Sequence, residues 1–183
     1  TTKSFSKIAG YNRVFGNLGG EASMYYHLPS VEGYDALYIK RYGELISFIE
    51  EGKLKELNRS VVIFSKTGLY APWAINLLDI KYIVHKLADD RAVWTFPYWT
   101  YPKDQFKFIY KDKMYEFYEN TKTFPHAFLV GKYKVVRDKE KIKDSMFSNS
   151  FNLRKEIILE EDPKINMTEL DMGEARITNY KPN

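Results

Sequence analysis

The chain has 183 residues, 44% of them hydrophobic and 28% charged, and a formal net charge of +4. That composition supports one sizeable core and argues against disorder, and lysines interleaved with Asp and Glu read as solvated surface rather than a nucleic-acid footprint. The absence of cysteine excludes disulfides, thiolate metal sites and cysteine nucleophiles, and no apolar run approaches the roughly 20 residues of a membrane-spanning helix.

Tyr11–Phe15, aromatic and branched, predicts a first strand ending at Gly16. From Gly16 to Gly33 the glycines and Pro29 read as a long loop that presents Tyr25 and Tyr26. Gly16, Gly19 and Gly20 lack a Lys-Ser/Thr ending and an immediate helix, so a phosphate cradle is not expected. Asp35 is placed to cap a helix with Tyr38, Tyr42, Leu45, Ile46 and Ile49 on its apolar face and Gly52 as its stop. Ser60–Phe64 suits a short strand or, being so short, a helical segment. Pro72 opens a second helix, followed after Asp79 by a buried strand, Ile80–Val84.

Between Ala92 and Pro102 the sequence concentrates Trp94, Phe96, Tyr98, Trp99 and Tyr101. Two readings stand: an aromatic corner of the core bent by Pro97 and Pro102, or a platform on which sugar C–H faces or lipid headgroups rest. Next, Phe106, Phe108 and Tyr110 alternate on one face, Lys111-Asp112-Lys113 breaks the pattern, and Met114–Glu119 alternates again. This predicts an antiparallel hairpin without a glycine turn. Ala127–Val130 reads as a buried third strand beside it. A helix over Arg137–Phe147 and a strand over Lys155–Leu159 complete a strand–helix–strand unit suited to a parallel pair.

The expected fold class is therefore α/β, or α+β, a single domain with a mixed sheet, a central antiparallel hairpin and flanking helices. It is expected over residues 1–162, with 163–183 as a linker and the start of a β-rich segment at Ala175–Tyr180. Since the chain opens on Thr1-Thr2-Lys3 and closes beside that segment, a piece of a longer protein is expected.

His27, His85 and His126 stand far apart, with no partner at metal-ligand spacing. Glu119-Asn120 ends a core strand beside a turn, where sites often sit; the bland alternative is that Asn120 shapes the turn and Glu119 lines the strand edge.

Five short motifs occur in a telling order: Arg13-Val14-Phe15, Ser30-Val31-Glu32-Gly33-Tyr34-Asp35, Leu77 to Val84, Tyr118-Glu119-Asn120, and Pro125-His126-Ala127-Phe128-Leu129-Val130. In this order the chain resembles the extracytoplasmic C-terminal region of YfhO-type bacterial membrane proteins, relatives of the GT-C class of glycosyltransferases. It departs from the commoner pattern at His126, where Arg is expected, and at Asp79-Ile80. The resemblance implies a parent with many membrane helices that moves a sugar from a polyprenyl-phosphate carrier to an envelope acceptor. Its catalytic acids would lie between those helices, outside this chain.

The reading that follows is a non-catalytic domain on the extracytoplasmic side of the cell membrane, with no catalytic residue, metal or cofactor of its own. Its expected partners are the membrane-embedded part of the same protein and a glycan or anionic envelope polymer, not nucleic acid. The candidate contact residues are Tyr25, Tyr26, Trp94, Phe96, Tyr98, Trp99, Tyr101, Glu119 and Asn120. Two rivals remain: a partner-binding scaffold without a ligand, and a soluble α/β enzyme whose pocket would join Glu119, Asp35 or a histidine.

Overall fold

The computed structural model describes residues 2–16, 20–34, 38–55, 61–62, 64, 66–87, 96–165 and 173–180. The chain forms two compact units, Thr1–Phe124 and Pro125–Asn183.

The first unit is built on a four-stranded mixed sheet. Its elements in chain order are α1 (Thr2–Ala9), β1 (Arg13–Gly16), α2 (Gly20–Tyr25), β2 (Gly33–Tyr34), α3 (Lys40–Glu51), β3 (Val61–Val62), α4 (Ala71–Leu77), β4 (Ile80–Lys86), β5 (Phe106–Lys111) and β6 (Tyr115–Asn120). The sheet order is β1-β4-β6-β5. β1 runs parallel to β4, while β6 is antiparallel to both β4 and β5. β2 and β3 form a separate two-residue antiparallel pair.

The predicted α/β class holds: helices flank a mixed sheet that contains the hairpin. Its turn is closed without glycine, because the Asp112 carboxylate accepts from the backbone N–H groups of Met114 and Tyr115, both at 2.8 Å. The strand beside the hairpin is β4, not Ala127–Val130.

Both sheet faces are covered, as expected where parallel strands take part. On one face Val14, Tyr82, Val84 and Phe117 meet α1 through the buried Phe5 and Ala9. Phe5 packs edge-on to Tyr82 and tilted against Phe117, with centroids 5.5 and 4.5 Å apart. Phe5 and Ala9 are four residues apart, the spacing that puts both on one helical stripe. On the other face Phe15 packs against Phe64 and Phe96, with centroids 4.9 and 5.8 Å apart.

The helix signals are partly local. Gly52, at φ 71°, ends α3 in the left-handed conformation and donates to the Phe48 carbonyl at 2.8 Å. Ile39 occupies the N-terminal cap of α3 without a side-chain bond, and Asp35, the expected cap, lies outside the described residues. Pro72 sits in the first turn of α4 as predicted. Leu78 and Asp79 make the two-residue passage into β4, Asp79 with φ 53°. The chain from Gly16 to Gly33 is not all loop, since α2 starts at Gly20 directly after the undescribed 17–19.

One irregular step corrects the predicted hairpin pattern. Between Phe108 and Tyr110 the pairing shifts, so that Tyr110 opposes Phe117 and Lys111 opposes Glu116. Ile109 is the extra residue of a bulge, and it turns the second half of β5 over. Tyr110 therefore leaves the face of Phe106 and Phe108 and stacks on Phe117, with centroids 4.3 Å apart.

In the second unit β7 (Lys132–Val135) and β8 (Glu156–Leu159) pair in parallel, joined through α5 (Lys139–Met146). This is the predicted strand–helix–strand, with its first strand displaced. Ala127–Val130 carries no strand, and Phe128 and Leu129 are exposed. An apolar run becomes a strand only where a ladder partner exists, and all four residues of β8 are taken by 132–135. The expected strand over Ala175–Tyr180 is also absent. Asp138 caps α5, accepting from the Lys141 backbone N–H at 2.9 Å.

Candidate functional site

The aromatic stretch after β4 divides. Phe96 is fully buried, packed on Phe15 and Phe106 and stacked with Tyr101 at 5.4 Å; Tyr101 is buried as well. Burial removes both from any ligand platform and makes them core, the bland reading of this stretch. Burial also pushes the Tyr101 hydroxyl up to about 12. A 3₁₀ turn at Tyr98–Thr100 then carries the chain back over the sheet. Its Thr100 hydroxyl donates to the Pro97 carbonyl at 2.8 Å. In this turn Tyr98 faces inward and Trp99 is 61% exposed. Trp94 lies outside the described residues.

Tyr98 stacks on Tyr118 of β6, with centroids 4.6 Å apart and planes 30° apart. Phe108 of the edge strand β5, exposed on its outer side, meets the same Tyr118 edge-on at 5.8 Å. His85 of β4 lies edge-on to Tyr98 at 5.3 Å and to Trp99 at 6.1 Å. Trp99, Tyr98, Tyr118 and Phe108 thus form a continuous chain of ring contacts whose two ends, Trp99 and Phe108, are exposed.

A polar group adjoins it. Glu116 lies directly across from His85 on one side and from Lys111 on the other. One carboxylate oxygen accepts from the Tyr118 hydroxyl at 2.8 Å, and the other pairs with Lys111 Nζ at 3.1 Å. Burial works to raise the Glu116 carboxyl, but the bonds from Tyr118 and Lys111 outweigh it and the net effect is a lowering. The Tyr118 hydroxyl is raised by burial, then by its hydrogen bonds to Tyr98 and Glu116. Burial lowers His85, against the Glu116 charge and a hydrogen bond to the Phe96 backbone. Lys111 remains 54% exposed at its side chain, so it has donors to spare beside an acceptor already held in place.

The other expected residues stand elsewhere. Tyr25 and Tyr26 pack edge-on to each other at 4.9 Å; Tyr25 is exposed, while Tyr26 leans on the α1-side core. Glu119 pairs with Lys81 at 2.8 Å and, being three residues from Glu116 on one strand, faces the opposite side of the sheet. Asn120 is fully buried. Its amide donates to Asn76 Oδ1 at 2.9 Å and to the Ile80 carbonyl at 3.1 Å, and its oxygen accepts from the Lys122 N–H at 3.1 Å. Gln105 Nε2 reaches the same Asn76 oxygen at 3.3 Å. This network ties β6, α4 and the loop before β5 together, so Asn120 shapes the turn.

His85, Glu116, Lys111, Tyr118 and Phe108 were missed as site residues. Strand alternation could have joined Glu116 to Tyr118, but the bulge hid Lys111 and Phe108. Three of the motifs behind the resemblance, Arg13–Phe15, Leu77–Val84 and Tyr118–Asn120, lie side by side in β1, α4 with β4, and β6. Arg13 Nη1 donates to the Leu78 carbonyl at 2.9 Å.

Among the described residues no three His, Asp or Glu gather as a metal site, and no helix is long and apolar enough to cross a membrane. Searches of protein-family models, curated proteins and solved structures gave no match.

Proposed function

We propose that this chain is a non-catalytic glycan-contacting domain, and that the surface of Trp99, Tyr98 and Phe108 is where a sugar chain rests. The observation that carries the reading is the juxtaposition of exposed aromatic rims with a fixed carboxylate and a half-free ammonium. Sugar rings offer C–H faces to aromatic rings and hydroxyls at their edges. Glu116 can accept from one hydroxyl while Lys111 donates to its neighbour. The order of the sequence motifs supports a setting on the outer side of a cell membrane, next to the membrane-embedded part of a GT-C-like protein. There the domain would position a glycan or envelope-polymer acceptor.

The test is binding of the whole chain to cellohexaose, chitohexaose and poly(glycerol phosphate), read by NMR shift perturbation and calorimetry. Trp99→Ala is expected to weaken binding about tenfold, equivalent to about 1.4 kcal/mol, with shifts clustered on Tyr98, Phe108, Lys111 and Glu116. Binding unaffected by Trp99→Ala, or no binding to any of the three, overturns the proposal.

A further inference from the structure

Among the described residues three buried side-chain polar atoms lack a hydrogen-bond partner: Ser47 Oγ, His85 Nδ1 and Tyr101 Oη. Of the three groups, only histidine changes charge near neutral pH. His85 is 8% exposed and its ring hydrogen-bonds the Phe96 backbone. Its buried Nδ1 has no hydrogen-bond partner, so a proton added there would meet no acceptor. Tyr98 and Trp99 lie against the ring, at 5.3 and 6.1 Å.

The titratable groups facing His85 are Glu116 and Tyr118 on β6, Lys111 on β5, Lys66 in the turn before α4 and Tyr98 in the 3₁₀ turn. Glu116 favours the charged ring, but its carboxylate is already engaged by Lys111 and Tyr118. Lys66 and Lys111 oppose the added charge.

We propose that His85 is a proton-operated latch for the Tyr98–Thr100 turn. Neutral, it packs beneath Trp99 and holds the indole in place. Protonated, it carries an Nδ1–H without an acceptor and a charge without water, and lifting the turn hydrates both. Acid therefore displaces Trp99. The consequence that acid also weakens glycan contact rests on the reading above; the displacement itself does not.

The experiment labels the whole chain with 5-fluorotryptophan and assigns the Trp99 resonance by its loss in Trp99→Phe. As pH falls through the ordinary histidine value of 6.5, the resonance is expected to move, with a midpoint below that value. His85→Phe keeps a buried ring that cannot take a proton and is expected to abolish the transition; His85→Gln is the second variant should the first not fold. A resonance that does not titrate, or that titrates equally in both variants, overturns the latch. Chitohexaose binding is followed over the same range. Titration of Trp99 with no sugar bound at any pH sinks the glycan reading and leaves the latch standing. Binding that is unchanged by pH, with a static Trp99 resonance, does the reverse.

Discussion

Lys111 lies directly across the hairpin from Glu116 and bonds it at 3.1 Å, on the same face as Phe108, because Ile109 is an extra residue in the edge strand. Lys111 follows Phe108 by three positions, an odd offset that in a regular strand would put them on opposite faces. The bulge brings a cation to an aromatic rim.

Deleting Ile109 therefore restores regular pairing without reversing it. Tyr110 should stay opposite Phe117 and Lys111 opposite Glu116, with cross-strand NOEs preserved and a modest stability loss from the missing Ile109 contacts. Loss of the Lys111 to Glu116 proximity would show that the step is not a one-residue bulge.

The split of the aromatic stretch gives opposite outcomes for neighbouring residues. Phe96→Ala should cost about 3–5 kcal/mol, since it empties a fully buried site. Trp99→Ala should stay within about 0.5 kcal/mol of the parent, as expected of an exposed side chain. Urea unfolding decides, and equal losses would contradict the division between core and surface.

Asn120→Ala removes an amide that bonds Asn76 and Ile80 inside the fold. Leaving those acceptors without it should cost about 1–3 kcal/mol, with the largest amide-exchange changes at the α4–β4 join and the turn after β6. A neutral result would mean that water replaces the amide.

Gly16 has φ 133°, and a Cβ built there would stand 2.0 Å from the Val84 carbonyl oxygen. Gly16→Ala should lose about 1–3 kcal/mol from backbone conformation alone, with the clash against β4 adding to it. Thermal melting of the variant tests this, and an unchanged midpoint would deny the close approach of β1 to β4.

The lowered Glu116 carboxyl makes a signed prediction for pH. Its ordinary value is 4.5 and the folded value lies below that, so its stabilisation is complete above the ordinary value and fades as pH falls through the folded one. Glu116→Gln should flatten the acid limb of the stability curve and weaken the hold on Lys111 and Tyr118. A parallel limb in the variant would assign acid unfolding to other groups.

Much of the fold was legible because it is written in local signals. Period-two alternation located the hairpin. The i, i+3, i+4 spacing and Gly52 located α3, and Pro72 followed by a branched run marked α4 and β4. Short-range sterics and side-chain direction set these features, so they survive without knowledge of neighbours. The first helix, Thr2–Ala9, was not among the expected elements although Phe5, Ile8 and Ala9 follow helical spacing; what Phe5 and Ala9 bury against, Tyr82 and Phe117, came only from the tertiary structure.

The tertiary structure decided the rest. Ala127–Val130 is as apolar as a buried strand but joins no strand ladder among the described residues, and Lys132–Val135 is more polar but pairs with β8. The aromatic stretch announced a cluster without saying which rings would be enclosed; Phe15 and Phe106 buried Phe96 and Tyr101, while the 3₁₀ turn left Trp99 outside. His85 was one of three scattered histidines in the sequence. Only the pairing of β4 with β6 placed it opposite Glu116, and only the turn closed two rings over it. Local pattern determines which element a residue joins, whereas strand register, a bulge or a returning loop determines what its side chain meets.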